Sequence, residues 1–428
     1  MNKGTKIKWA VVILLFCLLH LLIFTRVFYS GGPDLEGYHQ YAVKMSQGEV
    51  AYRDFAVEYP PGALVVFYLP YIFSNSIAGY GTAFTFEMLI FDIAGMLILF
   101  YAARRARISE WLALTGYTLA MVAIGSIMVQ RFDMIPAVMT LGALFAFSRG
   151  NYKLAWGILA IGTMTKLIPG LLAPLFLIYQ WKQGGWRSVI PGLVIFAGMI
   201  LIIALPFISY SSHGFIAAFT VQGRRPLQLE STYSSILLLM SSLGLISAVP
   251  VQGLISFDLV SPAAGPLAKY SIGFIGLGLL LVYVLFYRSL RGIKREETSS
   301  SPEMLAQLFN YSFAALVVFM VTNKVFSPQY MVWLYPLFPL VSGRFRSAVW
   351  VVFLTISCLT WYIYPIHYYD LIDTQQVPVD ALIMRNALLA FLAFLLLGEQ
   401  IHVTATGQEL AAQPPEAIPS APASTQAV

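Results

Sequence analysis

The chain has 428 residues, of which 58% are hydrophobic and 11% are charged, and its mean hydropathy is +0.75. Soluble globular domains carry about 25% charged residues, and several apolar runs here reach the ~20 residues that cross a bilayer. The composition therefore excludes a soluble globular fold and predicts an all-α polytopic membrane protein.

The net charge of +6 is interpreted as a topology signal rather than as a nucleic-acid surface. Lys and Arg in short loops stay on the cytoplasmic side of a membrane. One topology with both termini inside places most of the basic clusters in the cytoplasm. The two cysteines, Cys17 and Cys358, lie in separate apolar runs, and the histidines show no metal-ligand spacing, so no metal site is predicted. His20 is interpreted as a packing residue.

In chain order, the pattern predicts about twelve transmembrane helices. The first is interpreted as an uncleaved signal anchor, because no small-residue cleavage site follows it. The predicted spans are 9–28, 83–103, 111–129, 132–147, 154–166, 168–180, 188–208, 267–287, 305–323, 328–340, 348–364 and 381–397.

Several of these segments are too short to cross alone. The arms 154–166 and 168–180 are expected to meet at a break, "TKLIPG", of the kind that is tolerated where it lines a cavity. Residues 62–73 are predicted to lie along the membrane face. Residues 236–249 are predicted to be re-entrant or interfacial, and the sequence leaves open whether they cross.

The predicted organisation is one transmembrane domain, residues 1–402. It contains a first external loop at 29–82 and a second external loop at 209–266. Residues 403–428 are rich in Ala, Pro, Ser and Gln without an apolar period, which predicts a disordered cytoplasmic tail.

The first external loop concentrates carboxylates in an otherwise apolar protein. Apolar and aromatic residues recur with helical spacing over 35–47, which predicts a helix on the membrane surface. Asp34 stands immediately before it. Asp34 is therefore a candidate N-cap, a candidate cavity residue, or both.

The second half of that loop, "AYRDFAVEYPPG", supplies Arg53, Asp54, Glu58 and Tyr59. The Pro-Pro pair favours an extended residue before it and a helix start after it. Arg53 and Asp54 either contact substrate or form an exposed ion pair of little energetic value.

Charged residues also occur at the predicted external ends of other transmembrane segments. A membrane makes charges costly there, and such residues often mark functional sites. They are Arg131 and Asp133 in "VQRFDMIP", Lys166 at the break, Lys324, Gln329 and Tyr330 in "TNKVFSPQYMVWLYP", and Arg224 and Arg225 in the second loop. The alternatives are snorkelling lysines and a solvated loop. Glu87 and Asp92 in the second span have no assigned role.

Carboxylates facing cations at one membrane surface suit sugar transfer from a lipid phosphate. Preorganised cations stabilise the charge that develops on the departing phosphate. A carboxylate within hydrogen-bond reach takes the proton of the attacking hydroxyl.

Three fragments in this order carry a family resemblance: "PD…GY…YRDF…EYPPG", then "QRFDMIPAVMTLGALFAFSRGNYKLAWGILAIGTMTKLIPGLLAPL", then "KVFSPQYMVWLYPLFPL". Together they resemble the polyprenyl-phosphate-mannose-dependent alpha-mannosyltransferases of the GT-C superfamily, over about residues 9–397. The resemblance implies a GT-C helical bundle with juxtamembrane helices in the first external loop. It also implies an inverting transfer with Asp34 as the general base.

The resemblance further implies a polyprenyl-phosphate sugar as donor, with mannose as the expected sugar, and a lipid or glycan acceptor. The short loops and the Ala- and Pro-rich tail favour a bacterial plasma membrane with the active site on its external face. No cofactor is predicted, although Asp34-Leu35-Glu36 has the D-x-E form that leaves a divalent cation as an alternative. Lys166, Arg131 and Lys324 are predicted to bind the donor phosphate. The predicted substrate-binding residues are Glu36, Tyr38, Arg53, Asp54, Glu58, Tyr59, Asp133, Gln329, Tyr330, Arg224 and Arg225.

Other functions remain open at this point. A transporter or a lipid-linked sugar flippase would fit the broken helix, but no internal repeat is visible. An arabinose or glucose donor on the same fold, or an inactive scaffolding relative, are further alternatives. Sugar, acceptor, linkage and oligomeric state do not follow from the sequence.

Overall fold

The computed structural model describes residues 3–28, 31–290 and 302–412, which form a helical bundle with one short β-hairpin. The helices are α1 Lys3–Arg26, α2 Pro33–Ser46, α3 Gly62–Phe73, α4 Ile77–Arg105, α5 Glu110–Ile124, α6 Ile127–Gln130, α7 Met134–Ser148, α8 Tyr152–Thr165, α9 Ala173–Gly184, α10 Trp186–Tyr210, α11 Ser212–Arg224, α12 Thr232–Ser242, α13 Ala264–Ser289, α14 Pro302–Thr322, α15 Tyr330–Leu334, α16 Arg346–Trp361, α17 Tyr368–Ile372 and α18 Gln376–Ala412. The predicted all-α membrane architecture is confirmed.

The described part of the chain contains seven helices long and apolar enough to cross a membrane, against the expected count of about twelve. They fall at Lys6–Arg26, Ile77–Arg105, Trp186–Tyr210, Ala264–Ser289, Met304–Thr322, Arg346–Ile366 and Gln376–Gly398. Shorter apolar helices lie at Gly62–Phe73, Glu110–Ile124, Met134–Ser148 and Tyr330–Leu340.

The difference in count has a local cause in the apolar run 111–129. Gly125 takes a positive φ of 67° and ends α5, so the run divides into α5 and α6. At about 1.5 Å per residue, the 15 residues of α5 extend roughly 22 Å, less than the ~30 Å of hydrocarbon. Hydropathy alone does not register such a break.

The loop between α1 and α4 contains the two predicted surface helices. Pro33 occupies the first turn of α2, where its missing N–H costs no helical hydrogen bond. Gly32 is the N-cap, and no side chain caps the helix. Asp34 therefore lies in the first turn rather than at the cap. α3 starts directly after Pro60-Pro61, as the sequence predicts.

The predicted break at "TKLIPG" is also present. α8 ends at Thr165, Lys166 is extended (φ −156°, ψ 134°), and a 3₁₀ turn over Ile168–Leu172 leads into α9. The geometry presents the Lys166 side chain between two helix ends.

Residues 236–249 do not form a spanning helix. The 11-residue α12 ends at Ser242 and extends only about 17 Å. The hairpin of β1 (Val249–Gln252) and β2 (Phe257–Val260) follows, pairing antiparallel with Val249 opposite Val260. The sequence did not indicate these strands.

The C-terminal helix differs from its predicted end. α18 continues to Ala412, into the segment predicted to be a disordered tail, and residues 413–428 lie outside the described residues.

Asp92, unassigned from the sequence, is fully buried and has three partners in the bundle. Its carboxylate lies 2.5 Å from His20 Nδ1 and accepts a hydrogen bond of 2.7 Å from the Tyr335 hydroxyl. Tyr117 donates to its backbone carbonyl at 2.9 Å. Buried polar groups need such partners, so this cluster joins α1, α4 and α5 and serves packing. Glu87 is also buried, and its Oε2 has no hydrogen-bond partner among the described residues.

Candidate active site

A cavity of about 720 Å³ lies at the end of the bundle opposite Arg104 and Arg105. It forms where the α1–α2 connection, the α6–α7 junction and the α8 end meet the segment between α11 and β2. Its charged lining consists of Asp34, Glu58, Arg131, Lys166, Arg225 and Glu230. Five of these six residues are among the predicted site residues.

Asp34 and Arg131 form an ion pair in this cavity. Arg131 is 8% exposed, and its guanidinium also donates a 3.0 Å hydrogen bond to the Tyr364 hydroxyl and packs on that ring. Arg131 follows the four-residue α6 in an extended conformation, which directs it away from the helix axis and toward α2. The predicted base and a predicted phosphate ligand are therefore direct partners.

Lys166 forms a second ion pair, with Asp133. The Nζ–Oδ1 distance is 2.5 Å, and the indole N–H of Trp333 donates to the same carboxylate oxygen. The ammonium also packs against the rings of Phe132 and Trp333. Asp133, a predicted substrate-binding residue, is fully buried and does not line the cavity; its contact is with Lys166, which does.

The remaining predicted residues in the lining are largely aromatic or amide groups. Tyr330 stacks on Trp333 with ring centroids 3.8 Å apart, and Gln329 lies beside them with a buried Oε1 that has no hydrogen-bond partner among the described residues. Glu58 and Tyr59 form the opposite wall. Burial raises the pKa of Glu58, and the charge of the nearby Arg225 offsets part of that rise.

Gly62 explains how the "YPPG" segment contributes to the site. A Cβ at this position would lie 2.6 Å from the carbonyl oxygen of Met164. Only glycine lets the start of α3 approach the end of α8 so closely, and the residue following that end is Lys166.

Arg225 differs from the other two lining cations in its partners. It donates hydrogen bonds to Ser256 Oγ at 2.7 Å and to Gln222 Oε1 at 3.4 Å. Within residues 3–28, 31–290 and 302–412, no carboxylate lies at ion-pair distance from it. Its charge is therefore the most available to an anionic ligand.

Two other predicted cations do not line the cavity. Arg224 is exposed at the end of α11. Lys324 donates to the backbone carbonyl of Gly223 at 2.7 Å, while its own carbonyl accepts from Gln228 N–H at 3.1 Å. Lys324 therefore links the end of α14 to the segment around Gly223 and Gln228, because its side chain reaches backbone rather than the cavity.

Four predicted residues of the first loop also lie outside the lining. Glu36 is exposed, and Tyr38 is buried against Phe67 with centroids 4.3 Å apart. Arg53 and Asp54 form the exposed loop ion pair that was one of the two alternatives, at 2.8 Å. The hydrogen bond from Arg53, with that from the Val50 N–H, lowers the pKa of Asp54 to about 2.

Glu36 turns away from Asp34, so the D-x-E residues do not converge on one site. In the described ranges, no group of three or more His, Cys, Asp or Glu side chains could hold a metal ion.

The structure adds lining residues that sequence reasoning missed. Trp333, Tyr364 and Tyr368 supply aromatic walls, and Ser256 arrives on the hairpin. The aromatic cluster "WYIYPIHYYD" was the available signal, but its distance along the chain from Asp34 gave no reason to connect the two.

Glu230 is the most distinctive of the missed residues. It is 1% exposed, its Oε2 accepts from Gln228 Nε2 at 2.8 Å, and its Oε1 has no hydrogen-bond partner among the described residues. Burial raises its pKa to about 7, against lowering contributions from Arg385, Arg131 and Arg225. The only sequence signal was a lone carboxylate in "RRPLQLEST".

Comparisons with known proteins agree with a glycosyltransferase. The family model described as GT87, Glycosyltransferase family 87, matches residues 57–257, which include every charged lining residue except Asp34. The structure is similar to the crystal structure of ArnT from Cupriavidus metallidurans in the apo state, with a TM-score of 0.45 and 15% identity, over 95% of this chain and 80% of that one. No curated protein sequence matches the chain. Residues 57–257 of this helical membrane protein are thus similar to glycosyltransferase family 87.

Proposed function

We propose that this glycosyltransferase moves a hexose, with mannose as the expected sugar, from a polyprenyl-phosphate donor to a hydroxyl group of a lipid or glycan acceptor. The observation that carries the proposal is the cavity itself. It brings the half-buried carboxylate of Asp34 together with Arg131, Lys166 and Arg225 at one end of a membrane bundle.

The proposed step is a single inverting displacement. The acceptor oxygen forms a bond to the anomeric carbon while the bond from that carbon to the phosphate oxygen breaks. Asp34 takes the hydroxyl proton, and polyprenyl phosphate leaves with the bonding electron pair. The departing phosphate gains negative charge, which fixed cations stabilise.

The partners of each cation favour a revised assignment of the phosphate ligands. Arg225 has no carboxylate at ion-pair distance in the described ranges, so it is the first candidate for the donor phosphate. Lys166 is the second, because its ammonium lines the cavity although Asp133 neutralises part of its charge. Arg131 is engaged by Asp34, and Lys324 lies outside the lining.

The proposed orientation places the cavity on the external side of a plasma membrane, with both termini in the cytoplasm. Its support is the distribution of charge. The cavity lies at the opposite end of α4 from Arg104 and Arg105, and basic residues in short loops favour the cytoplasmic side.

The test compares wild-type protein, Asp34→Asn and Asp54→Asn in proteoliposomes with labelled polyprenyl-phosphate mannose and a glycolipid acceptor pool. Asp54→Asn is the matched control, because it makes the same chemical change in the same loop outside the cavity. We expect transfer by the wild type and the control, and a loss of about 10²- to 10⁴-fold in Asp34→Asn.

Sugar transfer at the wild-type rate by Asp34→Asn would show that another residue is the general base. Absence of wild-type transfer from mannose, arabinose and glucose donors alike overturns the proposed donor class.

A further inference from the structure

Among the described residues, two charged side chains of opposite sign in the cavity lining each have a polar atom without a hydrogen-bond partner. The atoms are Nε of Arg131 and Oε1 of Glu230; the neutral amide oxygen Oε1 of Gln329 is a third such atom in the lining. Both charged side chains are more than nine-tenths buried, and both residues line the cavity. Unpartnered buried polar atoms are uncommon and costly in native proteins, so a complementary pair in one wall calls for a physical explanation.

The two residues are linked through neighbouring tyrosines. Arg131 donates to Tyr364, whose ring lies 5.2 Å from that of Tyr368. Burial, followed by the adjacent Glu230 carboxylate, raises the pKa of Tyr368, and the charge of Arg131 opposes that rise. Arg131 and Glu230 thus both influence the pKa of this phenol, in opposite directions, and both line the cavity.

Glu230 is anchored more firmly than Arg131. Its backbone carbonyl accepts hydrogen bonds from the Arg385 guanidinium and from Asn386 Nδ2, both on α18. Its Oε2 accepts from Gln228. Arg131, in contrast, is held at its guanidinium end by Asp34 and a tyrosine hydroxyl. Any rearrangement between the two residues therefore moves the arginine.

We propose that Glu230 is the second carboxylate partner of Arg131, and that the guanidinium moves from Asp34 to Glu230 when an acceptor hydroxyl occupies Asp34. Glu230 acts in this scheme as a positioning residue, because it contacts the arginine rather than the substrate. The consequence for catalysis rests on the proposed role of Asp34 as general base.

This movement of the Arg131 side chain changes the basicity of Asp34. An adjacent arginine stabilises the ionised form of a carboxylate and makes it a weaker base. Asp34 is thus a weaker base while Arg131 is paired with it and a stronger one once Arg131 has moved. At the same time, the buried Glu230 gains a hydrogen-bonded counter-charge on its Oε1.

The first experiment needs no substrate. Structures of the wild type and Asp34→Asn in lipid nanodiscs are compared, since the substituted side chain no longer offers Arg131 a negative charge. We expect the guanidinium to lie within about 3 Å of Glu230 in the variant. An arginine that stays at position 34, or that reaches any other group, overturns the inference whether or not the protein transfers mannose.

The second experiment is kinetic and uses Glu230→Gln, with Glu49→Gln as a carboxylate control outside the cavity. We expect Glu230→Gln to lower kcat at least about tenfold, because Arg131 stays on Asp34, while KM changes less than about threefold. Glu49→Gln leaves both constants unchanged. A normal kcat in Glu230→Gln, or a loss confined to KM, contradicts the positioning role.

A double-mutant cycle measured by thermal unfolding tests the inference even if Glu230→Gln is poorly folded and its kinetics cannot be interpreted. The arginine pairs with Glu230 only when Asp34 cannot hold it, so Glu230→Gln should lower Tm more in the Asp34→Asn background than in the wild type. Equal Tm losses in the two backgrounds overturn the inference, and failure of the proposed mannosyl transfer leaves this readout unaffected.

Discussion

The carboxylate of Asp34, in the first turn of α2, forms an ion pair with the guanidinium of Arg131 at the end of α6. This pair joins the loop between α1 and α4 to the centre of the bundle. It also means that the candidate base is neutralised by its partner, and that Arg131 does not offer its full charge to a phosphate. The cations of the cavity therefore differ in availability, which makes their roles separable by experiment.

Arg225→Gln is expected to raise the KM for the polyprenyl-phosphate donor at least about tenfold, since charge-assisted contacts to phosphate are strong. Arg224→Gln is the matched control, because the neighbouring arginine is exposed and outside the cavity lining. The measurement is initial rate against donor concentration in mixed micelles. Equal effects of the two substitutions would remove Arg225 from the phosphate site.

Lys166→Met is expected to destabilise the protein by about 3 kcal/mol or more, because it leaves the buried Asp133 without its counter-charge. Adding Asp133→Asn removes the stranded charge and keeps an acceptor for the Trp333 indole. The double variant should therefore recover part of the lost Tm. Additive losses in thermal unfolding would show that the two side chains are not coupled.

The pH dependence of stability is expected to change in Glu230→Gln. The folded-state pKa of Glu230 is raised from 4.5 to about 7, so the folded protein keeps a proton that the unfolded chain releases at lower pH. The stability from this group is fully present below pH 4.5 and is lost as the pH rises through 7.

Glu230→Gln lacks that loss. Its stability relative to the wild type should increase between about pH 5 and about pH 8, by at most about 3 kcal/mol. Thermal unfolding at several pH values measures the difference. Parallel curves for the two proteins would contradict the raised pKa.

Gly62→Ala is expected to lower Tm and the transfer rate together. Its Cβ would meet the Met164 backbone, so α3 must move away from the segment that carries Lys166. Overpacking of this kind costs about 1–3 kcal/mol.

Gly37→Ala, in the interior of α2 with open space around its Cβ, is the control for the same substitution. It should be neutral or stabilise α2 by roughly 0.5–1 kcal/mol. A Gly62→Ala protein as stable and active as the control would show that the close helix contact is dispensable.

Local signals predicted much of the secondary structure that borders the cavity. The helices α2 and α3 and the break before Lys166 follow from helical spacing, Pro-Pro and "TKLIPG", since each depends on neighbouring residues. The same reasoning missed the hairpin and treated residues 111–129 as one span, which the structure divides into α5 and α6. Hydropathy does not reveal where a positive-φ glycine such as Gly125 ends a helix.

By itself, the sequence determined that this is an all-helical membrane protein and drew attention to Asp34, Arg131, Lys166 and Arg225, because charge in an apolar chain is costly and therefore conspicuous. Only the tertiary structure decided which charges meet. It paired Asp34 with Arg131 and Lys166 with Asp133, directed Lys324 to a backbone carbonyl, and brought Glu230 into the cavity. Such pairings depend on how distant helix ends pack together, and no local pattern encodes the distance between two segments far apart along the chain.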